Sequence, residues 1–247
     1  MYVDEYGKEN KQILVMLHGA NFVHAFGKQY VLSERYHIMV PHLMGFGNET
    51  QKTFHTSQQI DELVEFITGL NQKVVLIGFS LGAQIAYKMI AEHSELFSAA
   101  IIISPWLIKS DEMLQNVMTQ NEKQFASFKK RWICNLVGFM NGLPKDQRKE
   151  FVNQMQQVTI ETIRNSVNNG ITLDSVEGFE RVSIPVIALA GGKEPNEVKD
   201  SVKLMAEKNP NCTYEIWQKA AHNIPPVYAK QLNQLIIKVV ADVEEKV

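Results

Sequence analysis

A serine stands between two glycines in the segment Gly78-Phe79-Ser80-Leu81-Gly82, directly after a short apolar run that is typical of a buried strand. The residues that follow, LGAQIAYKMIAEH, have the apolar spacing of a helix. A serine at the tip of a strand–turn–helix segment exposes its hydroxyl above the sheet edge, where the helix N-terminus favours developing negative charge. The two glycines let the neighbouring backbone approach closely. The pattern therefore predicts Ser80 as a nucleophile.

A serine hydroxyl becomes a strong nucleophile only when a base removes its proton, and histidine is the usual base. Of the seven histidines, His222 follows the last predicted strand and precedes the last predicted helix. Loops that leave the carboxyl edge of a parallel sheet meet in one crevice, which would bring His222 to Ser80. We expect structural or surface roles for the remaining six, which are His18, His24, His37, His42, His55 and His93.

A carboxylate beside the imidazole fixes its tautomer and stabilises the imidazolium. The loop after the predicted strand at residues 185–190 reads GGKEPNEVKD, and its first acid is Glu194. We therefore predict Glu194 as the partner of His222. Three other acids remain possible: Glu197 and Asp200, which fit the helix that follows, and Asp111, which lies eight residues beyond an earlier strand.

Attack on a carbonyl creates an oxyanion, which two backbone N–H groups can bind. The N–H of Leu81, immediately after the serine, is the first expected donor. The second is expected from the loop HGANF that follows the apolar run at residues 13–17. Gly19 permits a sharp turn in this loop, and Ala20 then presents its N–H.

Short apolar runs alternate with longer amphipathic stretches along most of the chain. Strands are predicted at 13–17, 38–40, 74–77, 99–103, 185–190 and 213–217, and helices at 57–70, 81–93, 197–208 and 227–247. This alternation predicts an α/β protein with a mainly parallel central sheet and helices on both faces. The alternation stops over residues 106–184, where only helix-like segments appear, at 110–120, 122–137 and 145–168. We predict core segments at 1–105 and 185–247, with a helical cap inserted at 106–184.

The chain has 247 residues, of which 45% are hydrophobic and 21% charged, and its formal net charge is −2. This balance gives no reason to expect nucleic acid or an anionic membrane as a partner. Two distant cysteines predict a reducing compartment rather than a disulfide framework. The polar first ten residues do not resemble a signal peptide, and no apolar run approaches the ~20 residues of a membrane helix. We therefore expect a cytoplasmic protein without membrane insertion.

The sequence contains no metal-ligand spacing and no glycine motif for binding a nucleotide. We therefore expect no metal and no cofactor, and a small molecule as the partner of the site. The oligomeric state is left open by the sequence.

Five segments together resemble the α/β-hydrolase superfamily, in the branch that carries a helical cap between the sixth and seventh core strands by the family's count. They are His18-Gly19-Ala20, PHLMGFG at 41–47, Gly78 to Gly82, GGKE at 191–194 and Ala221-His222. The resemblance implies Ser80 as nucleophile, Glu194 as acid and His222 as base. It also implies Ala20 and Leu81 as oxyanion donors.

The chain departs from the family pattern at two positions. His42 stands where relatives usually carry aspartate, and Glu194 stands where aspartate is more common. A serine at position 80 argues against the related haloalkane dehalogenases and epoxide hydrolases, which need a carboxylate nucleophile.

The predicted cap is rich in aromatic residues and methionine. We expect most of these side chains to pack the cap helices together and onto the core, and some to face the cleft and form an apolar pocket roof. We expect Trp106, Leu107 and Asn21 to line the pocket. The favoured hypothesis is a serine hydrolase of small to medium, mainly apolar esters, thioesters or lactones, acting through an acyl-enzyme. Carbon–carbon bond hydrolysis, lyase or perhydrolase chemistry with the same residues is an alternative, and a non-catalytic small-ligand binding protein is another.

Overall fold

The computed structural model describes residues 1–140 and 143–245, with the backbone alone at residue 146. Within them, seven strands form one sheet in the order β1-β3-β2-β4-β5-β6-β7. Strand β1 pairs antiparallel with β3, and every other neighbouring pair is parallel. The strands are β1 Val3–Tyr6, β2 Ile13–Leu17, β3 His37–Pro41, β4 Val74–Phe79, β5 Phe97–Ile103, β6 Val186–Gly191 and β7 Cys212–Trp217.

Helices cover both faces of the sheet. They are α1 Thr56–Thr68, α2 Leu81–Glu92, α3 Asp111–Phe128, α4 Arg131–Met140, α5 Lys145–Gln157, α6 Ile160–Val167, α7 Asn196–Lys208, α8 Ile224–Val227 and α9 Ala229–Glu244. No helix in the described ranges combines the length and the hydropathy that crossing a bilayer requires.

The central strands are apolar throughout because both of their faces are buried. In β2, Ile13, Val15 and Leu17 contact one apolar cluster, whereas Leu14 and Met16 contact the other. Helices α1, α2 and α7 supply side chains to the first cluster, and α9 supplies side chains to the second. Continuous apolar runs of this kind are typical of parallel strands buried on both faces. The predicted α/β class with a mainly parallel sheet is therefore confirmed.

Strand β1 was not predicted from the sequence. Its residues, VDEY, are half-buried and lie at the edge of the sheet, where Asp4 pairs with Val40 and Glu5 with Met39. A short edge strand has one side open to solvent and can carry charged side chains. It therefore lacks the apolar run that identifies the buried strands.

Helices α3 to α6 lie between β5 and β6, and their boundaries differ from the predicted ones. The predicted break near Asn121 does not occur, since α3 runs through this position and ends at Phe128. The Lys129 ammonium stabilises the observed break, because it donates to three carbonyl oxygens at the end of α5, those of Met155, Gln156 and Val158.

The predicted helix at 145–168 is two helices, α5 and α6. The chain leaves the helical conformation at Val158, and the Thr159 hydroxyl then accepts a hydrogen bond of 3.1 Å from the Thr162 N–H. A threonine in this position caps a helix N-terminus and starts a new helix. The capping threonine lies inside a run with continuous apolar spacing, which is why the periodicity alone did not show the break.

Candidate active site

The turn at Ser80 connects β4 to α2 without any intervening loop. Ser80 has φ 55° and ψ −113°, a conformation that residues with a side chain rarely adopt. A Cβ at Gly78 would lie 2.5 Å from the Gly82 carbonyl oxygen, and a Cβ at Gly82 would lie 2.1 Å from the Leu17 carbonyl oxygen. Both glycines are therefore required by close backbone contacts, which leave the serine at the tip of the turn.

His222 lies in the segment between β7 and α8 and contacts Ser80 directly. Its Nε2 is 3.0 Å from the Ser80 Oγ, and its Nδ1 is 2.7 Å from Oε1 of Glu194. The imidazole also packs against the Phe79 ring, with 5.0 Å between the ring centroids. The structure thus brings together three residues that are far apart in sequence and were predicted to meet.

The Glu194 carboxylate is buried, and both of its oxygens form hydrogen bonds. Oε2 accepts from the Gly191 N–H at 2.6 Å and from the Ser104 hydroxyl at 2.8 Å, whereas Oε1 contacts His222. These bonds fix the orientation of the carboxylate. Ser104 was not identified from the sequence, although its position at the carboxyl end of β5, beside β4 and β6, was a signal that could have pointed to it.

The three alternative acids occupy other positions. Asp111 is the first residue of α3, Glu197 lies in the first turn of α7, and Asp200 forms an ion pair of 2.8 Å with Lys203. In the described structure, the carboxylate within hydrogen-bond distance of His222 is that of Glu194.

The two backbone groups predicted as oxyanion donors lie next to Ser80. Leu81 is the first residue of α2. Ala20 follows Gly19, and Gly19 lies so close to the turn that a Cβ added to it would be 3.3 Å from the Ser80 Cβ. Neither the Ala20 nor the Leu81 N–H has a hydrogen-bond partner within residues 1–140 and 143–245. Both groups are therefore available to bind a negatively charged oxygen.

His18 holds the loop that carries Ala20. Its Nε2 accepts a hydrogen bond of 3.0 Å from the Leu43 N–H, so Nδ1 carries the proton and donates to the Gly19 carbonyl oxygen at 2.7 Å. Burial lowers the pKa of His18 to about 3, and the imidazole is neutral at physiological pH. These contacts agree with the structural role expected from the sequence.

Two cavities meet at Ser80 and His222. The first, of about 470 Å³, is lined by Trp106 and by side chains of α3 and α7. The second, of about 360 Å³, is lined by Ala20, Asn21 and aromatic residues of the insertion. Trp106 and Asn21 thus lie at the cavities as expected.

Leu107 lies outside the lining of both cavities. Its N–H donates to the Ser201 hydroxyl at 3.0 Å and its carbonyl oxygen accepts from the Leu173 N–H at 3.1 Å. These bonds hold the backbone so that the side chain, 1% exposed, packs in the core.

The arrangement can activate the serine. His222 can accept the Ser80 proton through Nε2 while Nδ1–H donates to Glu194, and two free N–H groups lie beside the hydroxyl. Over residues 1–140 and 143–245, no group of three or more His, Cys, Asp or Glu side chains is arranged to hold a metal ion.

A sequence model of a protein family described as alpha/beta hydrolase fold matches residues 12–226 of the chain. This match covers the predicted nucleophile, acid and base, and it confirms the resemblance inferred from the five sequence segments. No curated protein sequence matches the chain significantly.

Many solved structures are similar to the chain. A carboxylesterase of the thaumarchaeon Nitrososphaera gargenis has a TM-score of 0.76 and 17% identity, over 100% of this chain and 96% of the other. A bromoperoxidase from Bacillus anthracis has a TM-score of 0.78 and 17% identity, over 97% and 95%. A Bacillus megaterium epoxide hydrolase has a TM-score of 0.76 and 16% identity, over 97% and 96%. At such identities these likenesses establish the fold alone.

Proposed function

The chain belongs to the alpha/beta hydrolase fold family, and from this premise we propose that it is a serine hydrolase of small to medium, mainly apolar carboxylic esters. The observation that carries the proposal is the continuous contact from the Ser80 Oγ to His222 Nε2, at 3.0 Å, and from His222 Nδ1 to Glu194, at 2.7 Å. A nucleophile, a base and an orienting carboxylate in this order form the arrangement that acyl transfer requires.

In the first half of the reaction, the Ser80 Oγ bonds to the ester carbonyl carbon while its proton passes to His222 Nε2. The electron pair of the carbonyl moves onto its oxygen, which binds the N–H groups of Ala20 and Leu81. Glu194 accepts a hydrogen bond from Nδ1–H and stabilises the imidazolium. When the carbonyl re-forms, the bond to the alcohol breaks and His222 gives its proton to the departing oxygen.

The second half releases the acid. A water molecule gives a proton to His222 Nε2 as its oxygen bonds to the acyl carbon, and the same N–H groups bind the new oxyanion. The bond between the acyl carbon and the Ser80 Oγ then breaks, and His222 returns the proton to the serine. The enzyme is restored, and the products are one alcohol and one carboxylic acid.

The size and lining of the first cavity support the proposed substrate class. Its volume of about 470 Å³ falls in the range of small-molecule sites, and it contains the apolar side chains of Trp106, Met113, Val117 and Val198. Thioesters and lactones present the same electrophilic carbonyl and belong to the same proposal.

Labelling with a fluorophosphonate probe, read by intact-mass analysis, tests the activated serine. We expect stoichiometric labelling of the wild type, no labelling of Ser80→Ala and greatly slowed labelling of His222→Ala. A panel of p-nitrophenyl esters then measures substrate size. A folded wild type that neither takes the label nor cleaves any ester would refute the proposal and favour a protein that binds a ligand without turning it over.

A further inference from the structure

The Lys109 amino group lies behind the first cavity, where in the described structure it donates hydrogen bonds to two amide oxygens and lies 5.3 Å from the centroid of the Trp106 ring. Lys109 Nζ donates to Oε1 of Gln84 at 2.7 Å and to Oδ1 of Asn169 at 2.8 Å. It forms no ion pair with any carboxylate in the described part of the chain, and burial lowers its pKa to about 7. The reaction proposed above does not use this group.

The hydrogen bonds of Lys109 fix the orientation of both amides. Both amide oxygens accept from Lys109 Nζ, and the Asn169 oxygen is also fixed independently of the charge of the lysine, because the Ile171 backbone N–H can only donate. Asn169 Oδ1 also accepts from the Ile171 N–H at 2.9 Å, and Asn169 Nδ2 donates to Gln84 Oε1 at 2.9 Å. The Gln84 oxygen therefore receives two hydrogen bonds from one side, and the amide cannot be turned around without breaking both.

Gln84 lies one helical turn after Ser80 and lines the same cavity. Its side chain is almost fully buried, with 6% of the residue exposed, and its Nε2 has no hydrogen-bond partner among the residues described. Since Oε1 is held by Lys109 and Asn169, the two N–H groups of Nε2 are left for the cavity. A donor that faces the cavity gains a hydrogen bond from a ligand that supplies an acceptor.

We propose that Nε2 of Gln84 is a polar subsite that binds a second oxygen of the substrate, an ether or carbonyl oxygen separate from the scissile ester. Lys109 and Asn169 are positioning residues, which hold the amide with its N–H groups toward the cavity. The subsite refines the proposed function by naming the class of ester, and it rests on that function. A mainly apolar cavity wall in which the Gln84 amide is held as a donor selects oxygen-bearing chains over pure hydrocarbon chains.

The test measures binding to Ser80→Ala, which needs no turnover, with two pairs of esters that differ by one methylene replaced by oxygen. Butyl acetate and 2-methoxyethyl acetate place the change on the alcohol side, and methyl pentanoate and methyl 3-methoxypropanoate place it on the acyl side. Dissociation constants are measured by ligand-observed NMR. Gln84→Met, added to Ser80→Ala, removes the donors with little change in shape.

We expect Gln84→Met to weaken binding of the ether member relative to its hydrocarbon partner by about threefold to tenfold in at least one pair, as loss of one hydrogen bond predicts. Binding of the hydrocarbon member is expected to stay unchanged, which also shows that the cavity is intact. If Gln84→Met does not fold, Gln84→Glu gives the same comparison, because it keeps the contact with Lys109 but has no N–H donors.

Asn116→Leu is the matched control, since Asn116 is a second amide that lines this cavity. In each pair of esters, this variant should leave unchanged the ratio of the dissociation constant of the ether member to that of the hydrocarbon member. The proposed subsite is contradicted if these ratios are equal with and without Gln84→Met, or if they change only with Asn116→Leu. Failure of the proposed function appears separately, as a wild type that is not labelled at Ser80 and cleaves neither member of either pair.

Discussion

Ser104 donates a hydrogen bond of 2.8 Å to Oε2 of Glu194, the carboxylate oxygen that His222 does not contact. Ser104 is 1% exposed, and the Gly191 N–H binds the same oxygen at 2.6 Å. Because Oε2 is held from two directions, Oε1 stays directed at the imidazole. Ser104 thus acts on Ser80 through Glu194 and His222, which makes it a positioning residue.

Ser104→Ala is expected to lower kcat/KM for ester hydrolysis by about tenfold, because one of the two hydrogen bonds that orient the carboxylate is lost. KM should change little. The matched control is Ser98→Ala in β5, the strand that Ser104 directly follows, since the Ser98 hydroxyl is buried without a partner in the described structure. Steady-state kinetics measure kcat/KM for both variants. Equal values for Ser104→Ala and Ser98→Ala would show that Ser104 does not position the acid.

Glu194→Gln is expected to lower kcat by about 10³-fold to 10⁴-fold, because an amide can donate to Nδ1 and so favour the wrong imidazole tautomer. Glu197→Gln and Asp200→Asn, the corresponding changes at two alternative acids, should keep near-normal kcat. Kinetic assays with one p-nitrophenyl ester compare all three. A larger loss in either control than in Glu194→Gln contradicts the assignment of the acid.

Ser80→Gly is expected to be more stable than Ser80→Ala by about 1 kcal/mol, because φ at this position is 55° and glycine adopts positive φ without strain. Both variants lack the hydroxyl, so the comparison isolates the backbone. Urea denaturation measures the difference in the free energy of unfolding. An alanine variant of equal or greater stability would show that the turn stores no strain.

Gly82→Ala is expected to lower the free energy of unfolding by more than about 3 kcal/mol or to prevent folding, because the new Cβ would lie 2.1 Å from the Leu17 carbonyl oxygen. Gly69→Ala is the control, since a Cβ there would meet only an ordinary contact of 3.4 Å. Thermal and urea unfolding compare them. Similar stabilities of the two variants would contradict the close contact.

Lys109 is expected to make stability depend on pH. Burial lowers its pKa to about 7, against an ordinary value of 10.5, so between these pH values the unfolded chain binds a proton that the native chain does not. The contribution of Lys109 to the free energy of unfolding therefore rises with pH in this window, by at most about 1.4 kcal/mol per pH unit.

Lys109→Met should remove this rise, and Lys230→Met, at an exposed lysine of α9, should keep it. Urea denaturation at pH 7 and pH 9 measures the change for each protein. Parallel pH profiles of Lys109→Met and the wild type would show that the lysine is not desolvated.

Patterns that depend on local geometry were predictable from the sequence. Ser80 was predictable because the two glycines beside it indicate close backbone contacts. His222 was predictable because it follows a strand that ends at the same edge of the sheet. Glu194 required a choice among four acids. The choice agrees with the contact observed in the structure, since the first acid after β6 is the one that reaches the imidazole.

Features that depend on tertiary contacts were not predictable. Ser104 can bind the Glu194 carboxylate because β5 and β6 are neighbours in the sheet, and the residues beside Ser104 in sequence do not indicate this pairing. The orientation of Gln84 depends on Lys109 and on Asn169, 25 and 85 positions away respectively. Strand β1 was not predicted because an edge strand need not contain an apolar run. Contacts between distant segments leave no periodic trace in a single sequence.

Strands β5 and β6 pair over four residues each, from Ala100 opposite Val186 to Ile103 opposite Leu189, although four α-helices separate them in sequence. The register of this pair sets the positions of Ser104 and Glu194 relative to each other without a contribution from the inserted residues. Added length in such a connection carries only a small entropic penalty. In evolutionary terms, the inserted helices can be lengthened, shortened or exchanged while the reacting groups keep their distances, so that the choice of substrate and the chemistry can diversify independently.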